Sequence, residues 1–214
     1  MERLKSYIRN IPDFPKPGIQ FKDITPLVKE PAMLRLAVHQ LIHPFLGEPI
    51  TGVVGMEARG FIFGSMVAWE LGVGFIPLRK PGKLPYDVQT TSFDLEYGST
   101  SLEVHLDAVD ESDQVLLVDD LIATGGTAKA SCELIEKLGA KIVGCAFVIE
   151  LDDLKGRDKL AKYKFHSLLH NHSVEKSFPG CRSINITGDY RAIFKENSDD
   201  TVTFILIGTH SELY

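Results

Sequence analysis

The chain has 214 residues, 44% hydrophobic and 24% charged, with a net charge of −6. That length buries a proper core in one domain, or in one domain plus an appendage, and the negative balance disfavours nucleic acid or an anionic membrane as the main partner. No run has the length of a membrane span, the N-terminus has no apolar signal region, and three scattered cysteines without a C-x-x-C read as reduced thiols in a cytoplasm.

Residues 2–9 have the pattern of a short amphipathic helix. The string Ile11-Pro12-Asp13-Phe14-Pro15-Lys16-Pro17-Gly18-Ile19-Gln20-Phe21-Lys22-Asp23-Ile24-Thr25-Pro26 follows. Its prolines forbid a helix and predict a stiff, pre-shaped loop. A helix is expected over Pro31–Phe45, with its proline at the start, and a short strand over Ile50–Gly55. Met56-Glu57-Ala58-Arg59-Gly60 then turns into a helical pattern over Phe61–Leu71, and Gly74–Arg79 reads as a strand. Arg79-Lys80-Pro81-Gly82-Lys83-Leu84-Pro85-Tyr86 opens a basic polar loop running to about Thr91, suited to closing over an anion and excluding water. Ser92–Tyr97 and Ser101–His105 predict a hairpin across Gly98.

The most informative stretch is Val115-Leu116-Leu117-Val118-Asp119-Asp120-Leu121-Ile122-Ala123-Thr124-Gly125-Gly126-Thr127. Four apolar residues read as a fully buried strand, two carboxylates follow where it would leave the sheet, and Ala128–Leu138 is helical in pattern. A Gly-rich turn at that place closes backbone N–H groups around an anion, and the helix N-terminus adds positive potential. The acids cannot serve the same phosphate. They suit a neighbouring ribose 2′,3′-diol with Mg²⁺ close by, so a sugar phosphate fits better than a bare phosphate. No P-loop or dinucleotide fingerprint competes. Beyond it, Lys141–Ile149 reads as a strand ending at Glu150, Leu154–Leu160 as a short helix or turn, and Phe165–His170 as a strand.

The stretch from Val115 to Thr127 resembles the phosphoribosyl-pyrophosphate (PRPP) binding motif of the type I phosphoribosyltransferases. The Pro-rich string is similar to the N-terminal segment of the adenine phosphoribosyltransferases. The Arg59 turn, the Arg-Lys-x-Gly-Lys-Leu-Pro loop and Leu95-Glu96-Tyr97-Gly98 resemble further family motifs, in the expected order between about residues 8 and 170. The resemblance implies an α/β fold with a central, mostly parallel sheet flanked by helices, a domain over 1–170 and a hood over about 1–30. It implies that Asp119 and Asp120 face the ribose hydroxyls and that Ala123, Thr124, Gly125, Gly126 and Thr127 hold the 5′-phosphate.

By the same resemblance, Arg59 grips the pyrophosphate together with Glu57, Ala58, Arg79, Lys80 and Lys83, and the Glu57–Ala58 peptide is unusual. Phe21 lies on the purine face and the Gln20 backbone reads its edge. Lys22 stands where the family often has Arg, so a point charge replaces a fork. Glu96 and Tyr97 reach the reaction centre, with Glu96 as proton donor or acceptor to the base. Mg²⁺ arrives with PRPP, near Asp119 and Asp120, without direct protein ligands. The implied reaction is transfer of the phosphoribosyl group from PRPP to adenine, giving AMP and pyrophosphate, by a cytoplasmic homodimer. A related enzyme for another purine base and a PRPP-binding regulator without catalysis are the alternatives.

Residues 171–214 lie beyond the family's usual end. Arg182–Thr187, Tyr190–Lys195 and Thr201–Ile207 read as three strands joined by turns. Their wording resembles the C-terminal half of RelE-like toxins, in which His172, Asp189, His210 and Tyr214 are the candidates for acting on RNA and Asn185 replaces a His of some members. Six acids against four bases make a poor RNA surface, so the expectation is a β-rich packing or interaction element. His170-x-His172 offers too few ligands for a metal.

Overall fold

The computed structural model describes residues 2–15, 20–95, 98–171, 181–187, 190–198 and 201–209. The chain begins with α1 (Glu2–Lys5), β1 (Arg9–Pro12), β2 (Gln20–Asp23), α2 (Thr25–Lys29) and α3 (Pro31–Ile42). It continues through β3 (Gly52–Met56), α4 (Gly60–Leu71), β4 (Gly74–Leu78), β5 (Val88–Leu95) and β6 (Gly98–His105). Then come β7 (Gln114–Ile122), α5 (Gly126–Lys137), β8 (Lys141–Leu151) and β9 (Lys164–Asn171), and finally β10 (Arg182–Thr187), β11 (Tyr190–Glu196) and β12 (Val202–Thr209).

The framework is a five-stranded sheet in the order β4-β3-β7-β8-β9, parallel at every pairing. Central parallel strands are covered on both faces and so read as unbroken apolar runs. Val53, Val54 and Val115 to Val118 are all 0% exposed. Alternate residues feed two cores. Leu116 and Val118 pack with Leu41 of α3 and Phe63 and Val67 of α4. Val115 and Leu117 pack on the other face with Leu134 and Ile135 of α5 and Leu102 and Val104 of β6. Cys132 and Cys145 lie buried in this second core as free thiols, their sulfurs 3.6 Å apart.

The chain after β3 runs to β4 on one side, whereas β7 leads to β8 on the other. This is the switch point of an open α/β sheet, where a crevice forms beyond the strand ends. The loops after β3 and β7 therefore face each other.

Several expectations need revision. The N-terminal helix is one turn, and Arg9–Pro12 instead pairs antiparallel with Gln20–Asp23, so the hood contains a two-stranded ribbon rather than a loop alone. Proline can end a strand because its missing N–H need not join the ladder. The Pro31–Phe45 helix gives way to a 3₁₀ turn at His43–Phe45, around Pro44. The hairpin starts at Val88 and pairs Leu95 with Gly98, so Gly98 opens the second strand. β7 runs two residues past the acidic pair, whose carboxylates thus belong to the strand itself.

The three strands expected in the tail form a separate antiparallel sheet in the order β10-β11-β12. Ala192 and Ile193 of its central strand are buried, while Val202, Phe204, Ile205, Leu206 and Ile207 of the edge strand β12 are exposed. Four tail candidates, His172, Asp189, His210 and Tyr214, lie outside the described residues. Among the described residues, no helix is long and apolar enough to cross a membrane.

Candidate active site

A cavity of about 390 Å³ opens at the switch point. Its walls are the turn Met56–Arg59, the end of β7 with Asp119 and Asp120, the loop Ala123–Thr127 and, from outside, Lys80, Phe93 and Thr100. Two strand–turn–helix units thus meet with their helix N-termini towards one space, which favours a polyanionic ligand.

The phosphate loop turns on Gly125, at φ +73°, where it also caps α5. The region is left-handed, and glycine alone adopts it without a Cβ penalty. A second constraint comes from behind. A Cβ on Gly125 would lie 2.9 Å from the carbonyl carbon of Gly156, and a Cβ on Gly156 would lie 2.9 Å from the nitrogen of Gly125. The turn at Lys155–Gly156, with Lys155 also left-handed, therefore braces the loop. This residue was missed. Its only trace in the sequence is the Lys-Gly turn signal, which says nothing of its partner.

Asp119 and Asp120 sit on the cavity floor. Asp120 is 3% exposed, and Asp119 Oδ1 accepts a 2.8 Å hydrogen bond from the Asp120 N–H. Burial, and then the neighbouring Asp120 charge, push the Asp119 carboxyl well above the ordinary carboxylate range. Burial also raises Asp120, with the Arg59 charge opposing it. Arg59 Nε lies 2.9 Å from Asp120 Oδ2. The same guanidinium sits over the Phe21 ring, 5.2 Å from its centroid, a cation–π contact. Phe14 meets the ring edge-on at 5.1 Å.

The Glu57–Ala58 bond, where an unusual peptide was expected, is cis. Glu57 Oε2 accepts from Arg79 Nε and from the Lys80 N–H, both at 3.0 Å. Burial alone would raise this carboxyl, but those donors and the cations behind them hold it below its usual value. Arg79 also donates to the Lys83 carbonyl at 3.2 Å. It is thus tied to the first turn of the basic loop, with no contact to the cavity. The Lys83 side chain is exposed and outside the cavity, whereas Lys80 lines it. Glu103 of β6, also missed, pairs with Arg79 through the backbone and accepts from the Gly82 N–H at 3.0 Å, laying the basic loop along the hairpin.

In the hood, Gln20 is exposed and Phe21 half-buried. Lys22 points away from the cavity. It is 6% exposed, and its Nζ donates to Asn10 Oδ1 at 2.5 Å and Asn171 Oδ1 at 2.7 Å. Glu96 and Tyr97 lie outside the described residues.

A second acidic group, Glu150, Asp152 and His170, brings its ligand atoms within 4.8 Å of one another. Glu150 is already occupied by Arg157 at 2.9 and 2.7 Å and by Ser167 Oγ at 2.6 Å, and His170 Nδ1 by Asp152 at 2.9 Å. This is an ion-pair network outside the cavity walls.

The phosphoribosyl transferase domain family matches residues 35–178. An adenine phosphoribosyltransferase of Methylococcus capsulatus is 70% identical over 170 residues, 79% of this chain and 99% of its own length. The crystal structure of adenine phosphoribosyltransferase from Rhodothermus marinus superposes with a TM-score of 0.77 at 53% identity, covering 79% of this chain and 97% of that one. The APRTase of Giardia lamblia, complexed with 9-deazaadenine, superposes at 0.75 with 42% identity, covering 79% and 97%.

Proposed function

We infer from one premise, that the chain belongs to the adenine phosphoribosyltransferases of the phosphoribosyl transferase domain family, that it salvages purine base. It transfers the 5-phosphoribosyl group of PRPP to adenine, giving AMP and pyrophosphate. The observation that carries the reading is one cavity lined by the Gly125 cradle, the Asp119–Asp120 floor and Arg59, whose guanidinium also sits over the Phe21 ring.

In this reading Ala123 to Thr127 hold the 5′-phosphate through backbone N–H groups, and the two aspartates accept from the ribose hydroxyls. Arg59 leaves its resting place on Phe21 and Asp120 to meet the pyrophosphate, which frees the aromatic face for adenine. Lys80 meets the leaving group from the cavity wall, and Lys83 joins it when the basic loop closes. Positive charge develops on the sugar and negative charge on the leaving oxygens, so fixed cations at the pyrophosphate are the main source of rate. N9 of adenine then captures C1′, which orientation favours. Glu96 is assigned the proton on the base, with Tyr97 beside it.

The donor set fits Mg²⁺ entering with PRPP. Asp119 and Asp120 put carboxylates beside the phosphate cradle, and buried Asp120 Oδ2 has no aligned hydrogen-bond donor, so a cation held by the pyrophosphate and water would sit close by without a direct protein ligand. When bound, the ion neutralises charge on the pyrophosphate. The homodimer is likewise proposed, with light scattering as its test. Residues 171–214 are read as a β-rich extension resembling part of a RelE-like toxin. The full chain is expected to leave RNA intact.

The test is a purified-protein assay with PRPP and Mg²⁺, offering adenine, hypoxanthine, guanine and xanthine separately. AMP from adenine alone is the expected result. Turnover of an oxo-purine, or binding of PRPP without turnover, overturns it.

A further inference from the structure

We propose that Asn171, together with Asn10, is a positioning residue for adenine, acting through the ammonium of Lys22. This rests on the reading that Phe21 faces the purine. The ribbon of β1 and β2 has four residue pairs and, among the described residues, no third strand. Such a ribbon is marginal alone, so its placement depends on what ties it to the sheet.

Asn10 and Lys22 are direct partners in its ladder and project from one face. There the buried Nζ donates to Asn10 Oδ1 and Asn171 Oδ1. Asn171 is the last residue of β9 and pairs with Leu151, so its amide is fixed by the parallel sheet. Phe21, next in the strand, projects from the opposite face, towards Arg59. One face of β2 is thereby moored and the other presents the ring. Loss of the mooring displaces Phe21 without touching the phosphate loop. A buried ammonium must be hydrogen-bonded, and bonds from a charged donor are stronger and shorter than neutral ones. The two amide oxygens accept from it there, on the face of β2 away from Phe21.

The experiment is steady-state kinetics on Asn171→Leu and Asn171→Asp, varying each substrate at saturation of the other. Asn171→Leu is expected to raise KM for adenine roughly tenfold, the loss of one charge-assisted hydrogen bond. KM for PRPP and kcat stay within about twofold, since neither depends on β2. Asn171→Asp keeps an acceptor and restores KM for adenine. A uniform loss across all three parameters, or an unchanged adenine KM in Asn171→Leu, overturns the proposal.

If Asn171→Leu does not fold, Asn10→Leu reads the other end of the same mooring, with the same split expected and the same outcomes overturning it. Lys22→Met closes the cycle. In that background, replacing Asn171 is expected to have no further effect on adenine KM, and an undiminished effect refutes action through Lys22. Failure of the functional reading is distinguishable: the wild-type protein would then not use adenine, or Phe21→Ala would leave adenine KM unmoved.

Discussion

The backbones of Gly125 and Gly156 interlock: each occupies the space that a Cβ on the other would need. The phosphate loop is thus shaped from two directions, by its own left-handed glycine and by a turn 31 positions later that no local pattern links to it.

Gly125→Ala is expected to lower stability by about 1–3 kcal/mol, from strained backbone at positive φ plus the clash. Gly156→Ala, which touches no substrate, is expected to raise KM for PRPP at least roughly tenfold by moving the Gly125 nitrogen. Thermal melts and PRPP titrations separate the two effects. Normal PRPP binding in Gly156→Ala would show that the loop is shaped by its own residues alone.

Asp119→Asn is expected to make the protein more stable and a worse enzyme. The folded state raises the Asp119 pKa, so between the ordinary carboxylate value and that raised value the folded form holds more protons than the unfolded. Stability then falls as pH rises through this window, and the carboxylate is a cost at neutral pH. Replacing it with a neutral amide removes that cost. The gain in melting temperature should be largest above the raised pKa and shrink as pH falls into the ordinary carboxylate range. KM for PRPP should rise over the same range. A variant that is less stable at neutral pH would contradict the burial argument.

Arg59 should not tolerate exchange. Arg59→Ala is expected to reduce kcat/KM by roughly 10²–10³, the cost of one donor aimed at developing negative charge. Arg59→Lys retains the charge but loses the fork, and should fall in between. Pre-steady-state kinetics would place the loss in chemistry. A purely KM-based loss would assign Arg59 to binding alone.

The buried thiols should be silent. Cys132 and Cys145 are both 0% exposed, and Cys145 is raised well above the usual thiol range by its contact with Cys132 and by burial. Since the thiolate is the reacting species, both should resist an aromatic disulfide reagent in the native protein and react on unfolding. Rapid native labelling of either would mean that the α5–β8 interface opens.

Much of the site was legible because its chemistry is local. The apolar run Val115–Val118, the two acids and the Thr-Gly-Gly-Thr turn are contiguous, and periodicity marks the strand and the helix on either side. The unusual Glu57–Ala58 peptide, by contrast, is expected only through the family resemblance, since nothing in the residues themselves marks it. What escaped was long-range. The pairing of β1 with β2 is hidden by prolines, which suppress strand patterns. The destination of Lys22 depends on a residue 149 positions away. The family resemblance places Arg79 and Lys83 with Arg59 at the pyrophosphate; in this structure Arg79 pairs with Glu57 and the Lys83 side chain faces solvent. Charge is visible in a sequence, and its direction is not.

The parallel sheet ends at Asn171, and residues 172–214 continue from there. The extension therefore does not hang from an idle terminus. Its root is a residue whose side chain is already engaged by Lys22, and whose predecessor, His170, is engaged by Asp152. A nick or stop placed just before Asn171 would leave every phosphate-loop residue in the chain and still cut the tether of the hood. One placed a few residues later would remove the whole extra sheet and spare it. The margin between a harmless trimming and a damaging one is a single amide.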